Sequence, residues 1–123
     1  MAVSYKKSGA VTGFSLQCVD ITDIEHTGLN DIMPGASTVY SIDLDNIGGA
    51  VAYVRLYDHK SPTYGETEPS ILIRVKNGVH NIWTIAQGLP MTSGISVQAS
   101  QADGADNTTA PDGSGVNVSL VCT

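Results

Sequence analysis

A chain of 123 residues with 41% hydrophobic residues, 15% charged residues and 13 glycines has the size of a single domain and enough apolar material for one core. Twelve acidic against six basic residues give a formal charge of −6, which opposes a phosphate backbone, and no stretch approaches the roughly 18 apolar residues of a membrane span. Neither nucleic acid nor a membrane is an expected partner, and because the first residues lack the apolar run of a signal peptide, the chain is expected to fold in a cytoplasm.

Residues 1–9 contain Lys6, Lys7, Ser8 and Gly9 but little apolar material, which predicts a flexible N-terminal arm ahead of a single domain over residues 10–123. Val11 to Val19 reads as a first strand, with Phe14, Leu16 and Cys18 on one side and Ser15 and Gln17 on the other. A short strand fits Ile21 to His26. Otherwise Asp20 to Gly35 is rich in turn residues and closes on Met33-Pro34-Gly35. Tyr40, Ile42 and Leu44 then alternate with Ser41, Asp43 and Asp45, the period of a half-buried strand, and Asn46-Ile47-Gly48-Gly49 reverses the chain. From Ala50 to Tyr57 both faces are fairly apolar, which predicts a central strand.

Asp58 to Pro69 is too punctuated by Pro62, Gly65 and Pro69 for regular structure and reads as a long connection between two sheets. Ile71, Ile73 and Val75 point inward from the next strand, and Asn77-Gly78 predicts a hairpin returning along Val79 to Ala86. Gly88-Leu89-Pro90 and Ser93-Gly94 bracket a corner before the alternating run from Ile95 to Ser100. After a polar loop over residues 103–115, Val116, Val118, Leu120 and Cys122 form the closing strand. About eight short strands with turns between them predict an all-β, antiparallel two-sheet sandwich of jelly-roll type.

Chemistry-bearing residues are sparse. Cys18 and Cys122 read as two thiols filling apolar space, since two cysteines without a neighbouring His pair make no zinc site. His26, His59 and His80 lie on separate elements; a triad of Ser93, His80 and Asp43 is conceivable in space but has no flanking motif. Asp43 and Asp45 project together from one strand face, which suits solvation better than a cation site, and the loop over residues 103–107 lacks the spacing of a calcium loop. No catalytic residue, metal or cofactor is expected. Tyr53, Tyr57, Tyr64 and Trp83 lie on or beside strands, where some must face outward as interface anchors or as a platform for sugar rings. The two-faced apolar strand from Ala50 to Tyr57 also predicts symmetric self-association.

The segments Val39-Tyr40-Ser41-Ile42-Asp43-Leu44-Asp45-Asn46 and Ala50-Val51-Ala52-Tyr53-Val54-Arg55-Leu56-Tyr57-Asp58 resemble a family of small phage virion-associated proteins. The likeness continues through Glu68 to Ile73 and Gly88 to Val97, over about two-thirds of the chain. Proteins of this type, and phage cement or decoration proteins with similar sandwiches, sit on the outside of icosahedral heads, commonly as trimers. The resemblance implies a structural protein of the virion, a homotrimer whose partners are itself and the major capsid protein, with no enzymatic activity. Its expected contact residues are Tyr5, Lys6 and Lys7 of the arm together with Tyr53, Tyr57 and Tyr64. A carbohydrate- or receptor-binding module of a tail or fibre is the alternative, using Trp83 and the tyrosines for stacking and Asp43 and Asp45 as acceptors.

Overall fold

The computed structural model describes residues 4–7, 16–102 and 115–123. Among these the chain is all-β, in strands β1 (Ser4–Lys7), β2 (Gln17–Ile24), β3 (Leu29–Pro34), β4 (Ser37–Asn46), β5 (Ala52–Tyr57), β6 (Ile71–Val75), β7 (His80–Met91), β8 (Gly94–Ser100) and β9 (Val116–Cys122). They form a two-sheet antiparallel sandwich, with order β1-β2-β9-β4-β7 in the first sheet and β3-β8-β5-β6 in the second.

The core follows from alternation. Val19 and Ile21 of β2, Ile42 and Leu44 of β4, and Val116, Val118, Leu120 and Cys122 of β9 meet Ala52, Val54 and Leu56 of β5 and Ile95, Val97 and Ala99 of β8, all of them buried. Each such branched side chain contributes about 1.5–3 kcal/mol on leaving water. The sequence-predicted inward positions on β6 and β9 hold, and β5 is an interior strand between β8 and β6, as its two apolar faces require.

Several local expectations are overturned by long-range pairing. On β2 the buried parity is that of Val19 and Ile21, because their register sets them opposite Leu120 and Val118 in the core; Leu16 is exposed and Cys18 faces outward. Residues 29–34, read as turn-rich, are the strand β3, whose ladder to β8 overrides their weak apolar pattern. Tyr40 does not share a face with Ile42 and Leu44, since a bulge between Val39 and Ser41 shifts the register there.

The predicted hairpin from β6 to β7 does not exist as a pair. Asn77-Gly78 does turn, but β6 pairs with β5 in one sheet and β7 with β4 in the other. Asn46 explains the divergence: its carbonyl accepts the Gly78 N–H at 2.9 Å, its own N–H donates to the Val79 carbonyl at 3.1 Å, and its Nδ2 donates to the Val75 carbonyl at 3.0 Å. The turn's polar groups are thus satisfied by β4, leaving the two strands free to join different sheets. Conversely, residues 58–70 connect β5 and β6, which are neighbours in one sheet, rather than linking two sheets.

That connection covers the outer face of the second sheet. Tyr64 stacks edge-on against Tyr57 with ring centroids 5.3 Å apart and donates to Asn30 Oδ1. Beneath the covering segments lies a buried polar layer. The Tyr57 hydroxyl donates to Gln98 Oε1, Gln98 Nε2 to the His26 carbonyl, and the Arg55 guanidinium to Ser100 Oγ and the Ala102 carbonyl. Among the described residues no such segment covers the outer face of the first sheet at β4 and β7, where Asp43, Asp45 and His80 reach solvent.

Of the expected arm, Ser4–Lys7 is β1, paired antiparallel with β2. The remainder of that arm, the run from Val11 to Ser15 and the loop over residues 103–114 lie outside the described residues.

Candidate functional site

Across the core β2 packs on β8 and β4 on β6, so β7, one strand beyond β4, extends past β6 with no strand of the second sheet packed broadly opposite it. Among the described residues β7 pairs with β4 alone, which leaves its other side as a free sheet edge. Register fixes which side chains go where. Trp83 sits opposite Ile42 and faces inward, whereas Ile82 sits opposite Asp43 and faces outward.

Trp83 and Ile85 pack against the core but stay half-buried for lack of an opposing strand, and Ile82 is 61% exposed. On β6 the exposed Leu72 is level with Arg55 and so faces the outer side of the second sheet, away from this overhang. Apart from His80, the twelve residues of β7 carry no charge, so it lacks the Lys or Glu that usually blunts a sheet edge. Sequence reasoning missed this surface because a β6–β7 hairpin would have hidden both edges. The uncharged run from Asn81 to Met91 is the signal that was available.

The conceivable triad does not assemble. His80 Nε2 lies 2.5 Å from Asp43 Oδ1, but Ser93 is past the far end of β7, and the β4 residues opposite the two ends of β7, Asp45 and Ser37, are already eight residues apart, about 26 Å at a strand rise of about 3.3 Å per residue. The hydroxyl nearest in register, Ser119, faces Asp43 rather than His80 and donates to Asp20 Oδ1. A carboxylate between imidazole and hydroxyl leaves the serine without a base. Being largely exposed, the His80–Asp43 pair adds little stability. No group of three potential metal ligands occurs among the described residues.

The sequence-predicted contact residues are dispersed. Tyr57 is wholly buried and so offers no surface to a partner; burial raises its phenol above the ordinary range. Tyr64 is half-buried over Tyr57, and burial raises its phenol further. Tyr53 lies opposite Arg74 and Ser100, half-buried on the outer side of the second sheet. Tyr5, Lys6 and Lys7 occupy β1 at register positions opposite Ile21, Asp20 and Val19. A sugar platform is not brought together either: Trp83 faces inward from the first sheet, Asp43 and Asp45 outward from it, and Tyr53 outward from the second.

Cys18 and Cys122 are on neighbouring strands but opposite faces of the sheet, since Cys18 is level with Val121. No disulfide joins them, and burial together with the nearby Asp20 carboxylate raises the Cys18 thiol above its usual range.

Comparison with known proteins finds no matching family model, no matching curated protein and no matching solved structure.

Proposed function

We propose that the protein is a structural virion protein of the cement or decoration type, which binds the outside of an icosahedral phage head and braces neighbouring copies of the major capsid protein. The observation that carries this reading is the uncharged, overhanging edge of β7, with Ile82 open to solvent and Trp83 and Ile85 half-covered. A sheet edge of that length is a template for another chain, and a small sandwich that works through contact has a use for it. The resemblance carried by Val39 to Asp58 supports the same assignment, as does the dispersal of the groups that a hydrolase or a sugar site would need to gather.

A lattice multiplies a modest contact. A protein that binds only the expanded shell stabilises it by about 2.7 kcal/mol per site at a hundredfold excess over Kd. The proposed trimer also constrains how the edge is used: pairing β7 with β7 of a second copy closes a two-fold, so in a three-fold ring β7 must meet a different surface of its neighbour.

Light scattering on the purified protein, followed by co-sedimentation with expanded DNA-filled particles and with unexpanded proheads, tests this reading. A discrete trimer that saturates expanded particles alone is the expected result. A monomer that binds neither particle overturns it.

A further inference from the structure

A second feature lies beyond the C-terminal end of β7, where the start of the 58–70 connection meets the turn between β7 and β8. A surface cavity of about 380 Å³ is lined there by His59, Lys60 and Ser93, a size within the range of small-molecule sites. Asp58 builds it. Its Oδ1 accepts the Ser93 N–H at 2.7 Å and its Oδ2 the Thr92 hydroxyl at 3.1 Å, clamping the two segments together. Those bonds, led by the one from Ser93, hold the Asp58 carboxyl below its ordinary range, so this acid is committed to the scaffold as a carboxylate.

The lining groups are all donors. Ser61 N–H donates to His59 Nδ1 at 2.9 Å, which leaves Nε2 as the nitrogen that carries the ring proton. The backbone of His59 is held in turn by the Ser96 hydroxyl, which donates to its carbonyl at 2.6 Å. Among the described residues the Lys60 ammonium has no ion pair and the Ser93 hydroxyl no hydrogen-bond partner. Gly94 makes the close approach possible: a Cβ there would stand 3.2 Å from Lys60 Cβ and 3.1 Å from Asp31 Oδ1, on a backbone with φ of 145°.

We propose that this cavity binds a singly charged oxyanion, specifically a carboxylate, through Lys60, His59 Nε2 and Ser93 Oγ. Lys60 carries the one formal positive charge of the lining, set against the Asp58 carboxylate behind it, whose charge is spread into its bonds from Ser93 and Thr92; with two neutral donors the site takes at most a monoanion. Asp31, close to the stem of Lys60, disfavours the second charge of a phosphate dianion. The carboxylate can belong to a sugar acid or to a peptide terminus, and the two present the same planar pair of acceptor oxygens.

The test is a titration of the isotopically labelled full chain, followed by NMR at the His59 ring and the Ser93 amide, with acetate, glucuronate and N-acetylalanine at constant ionic strength. Chloride and glucose serve as controls. The expected result is a saturable shift with the carboxylates and none with the controls. Tighter binding of glucuronate than of the other two identifies a sugar acid, and tighter binding of N-acetylalanine a peptide carboxylate.

Lys60→Gln should raise Kd about tenfold, the effect of losing one charge-assisted donor. Gly94→Ala, which keeps every donor but crowds Lys60, should weaken binding as well. No saturable shift, an equal response to chloride or glucose, or unchanged affinity in Lys60→Gln would overturn the proposal. Because the proposed capsid contact is assigned to the edge of β7 and not to this cavity, failure of either reading leaves the other standing.

Discussion

Gly28 holds a backbone with φ of 69° and lies under the Tyr64 ring so closely that a Cβ would stand 2.3 Å from Cζ. Gly35 has a similar φ of 80° but nothing within 4 Å of its would-be Cβ. Gly35→Ala should therefore cost only the left-handed strain, about 1 kcal/mol, whereas Gly28→Ala must also displace Tyr64 from Tyr57 and Asn30, for a total of about 2–4 kcal/mol. Urea denaturation of the two variants measures the difference; equal losses would show that Tyr64 is not packed on Gly28. The same tyrosines set an alkaline limit. A phenol whose pKa is raised on folding takes nothing from stability below the ordinary value of about 10, and stability falls as pH rises from there towards the folded pKa. Stability should decline above about pH 10, and Tyr64→Phe should flatten that decline while losing some stability at neutral pH with the Asn30 hydrogen bond. An unchanged alkaline slope in that variant would mean that Tyr64 ionises as freely in the fold as out of it.

At the level of elements, Asn46 is the junction at which β4, the turn after it and β6 are tied together, through bonds to Ala50, Val75 and Gly48 of 2.9, 3.0 and 3.1 Å. It is 1% exposed, so Asn46→Ala leaves buried carbonyls without a donor and should cost about 2–3 kcal/mol in thermal or chemical unfolding. A loss below about 0.5 kcal/mol would mean that water replaces the amide. The edge strand β7 predicts the opposite combination. Ile82→Lys puts a charge on a side chain already in solvent, so stability should move by no more than about 0.5 kcal/mol while self-association and particle binding fall. Undiminished association would place the contact on another surface. Much at this scale was legible in the residues: the alternation of Ile42 and Leu44, of Ile71 and Ile73, and of Val116 to Cys122 marks inward faces correctly. Asn77-Gly78 marks a turn correctly too. What the dipeptide does not encode is where the strands on either side find partners, because the hydrogen bonds that decide it come from Asn46, about thirty positions upstream.

For the molecule as a whole, the decisive element is the last one. β9 lies between β2 and β4 in the middle of the first sheet and contributes Val116, Val118, Leu120 and Cys122 to the core. Its pairing with β2 joins residues about a hundred positions apart, and such non-local ladders place folding in the slow, millisecond-to-second range of β-sandwiches. Deleting residues 116–123 should abolish cooperative unfolding, because it removes a central strand and opens the core; a cooperative transition in the truncated chain would contradict the strand order. The two outer faces also differ at this scale. The second sheet is covered by the 58–70 connection, which spends Tyr57 and Tyr64 inside the chain, while the first sheet keeps its acidic residues and its edge open. The expected contact residues were therefore legible as aromatic but not as exposed or buried, since that depends on which loop lies over which face.

The sequence by itself determined the all-β class, the approximate strands and the interior position of β5, because a period of two and the turn residues are local properties of the chain. Tertiary structure alone decided that β6 and β7 part company and that β7 overhangs as an open edge. It also decided that Asp58 draws His59, Lys60 and Ser93 around one cavity. Each of these depends on groups far apart in sequence satisfying one another's hydrogen bonds, and no local pattern records such a match.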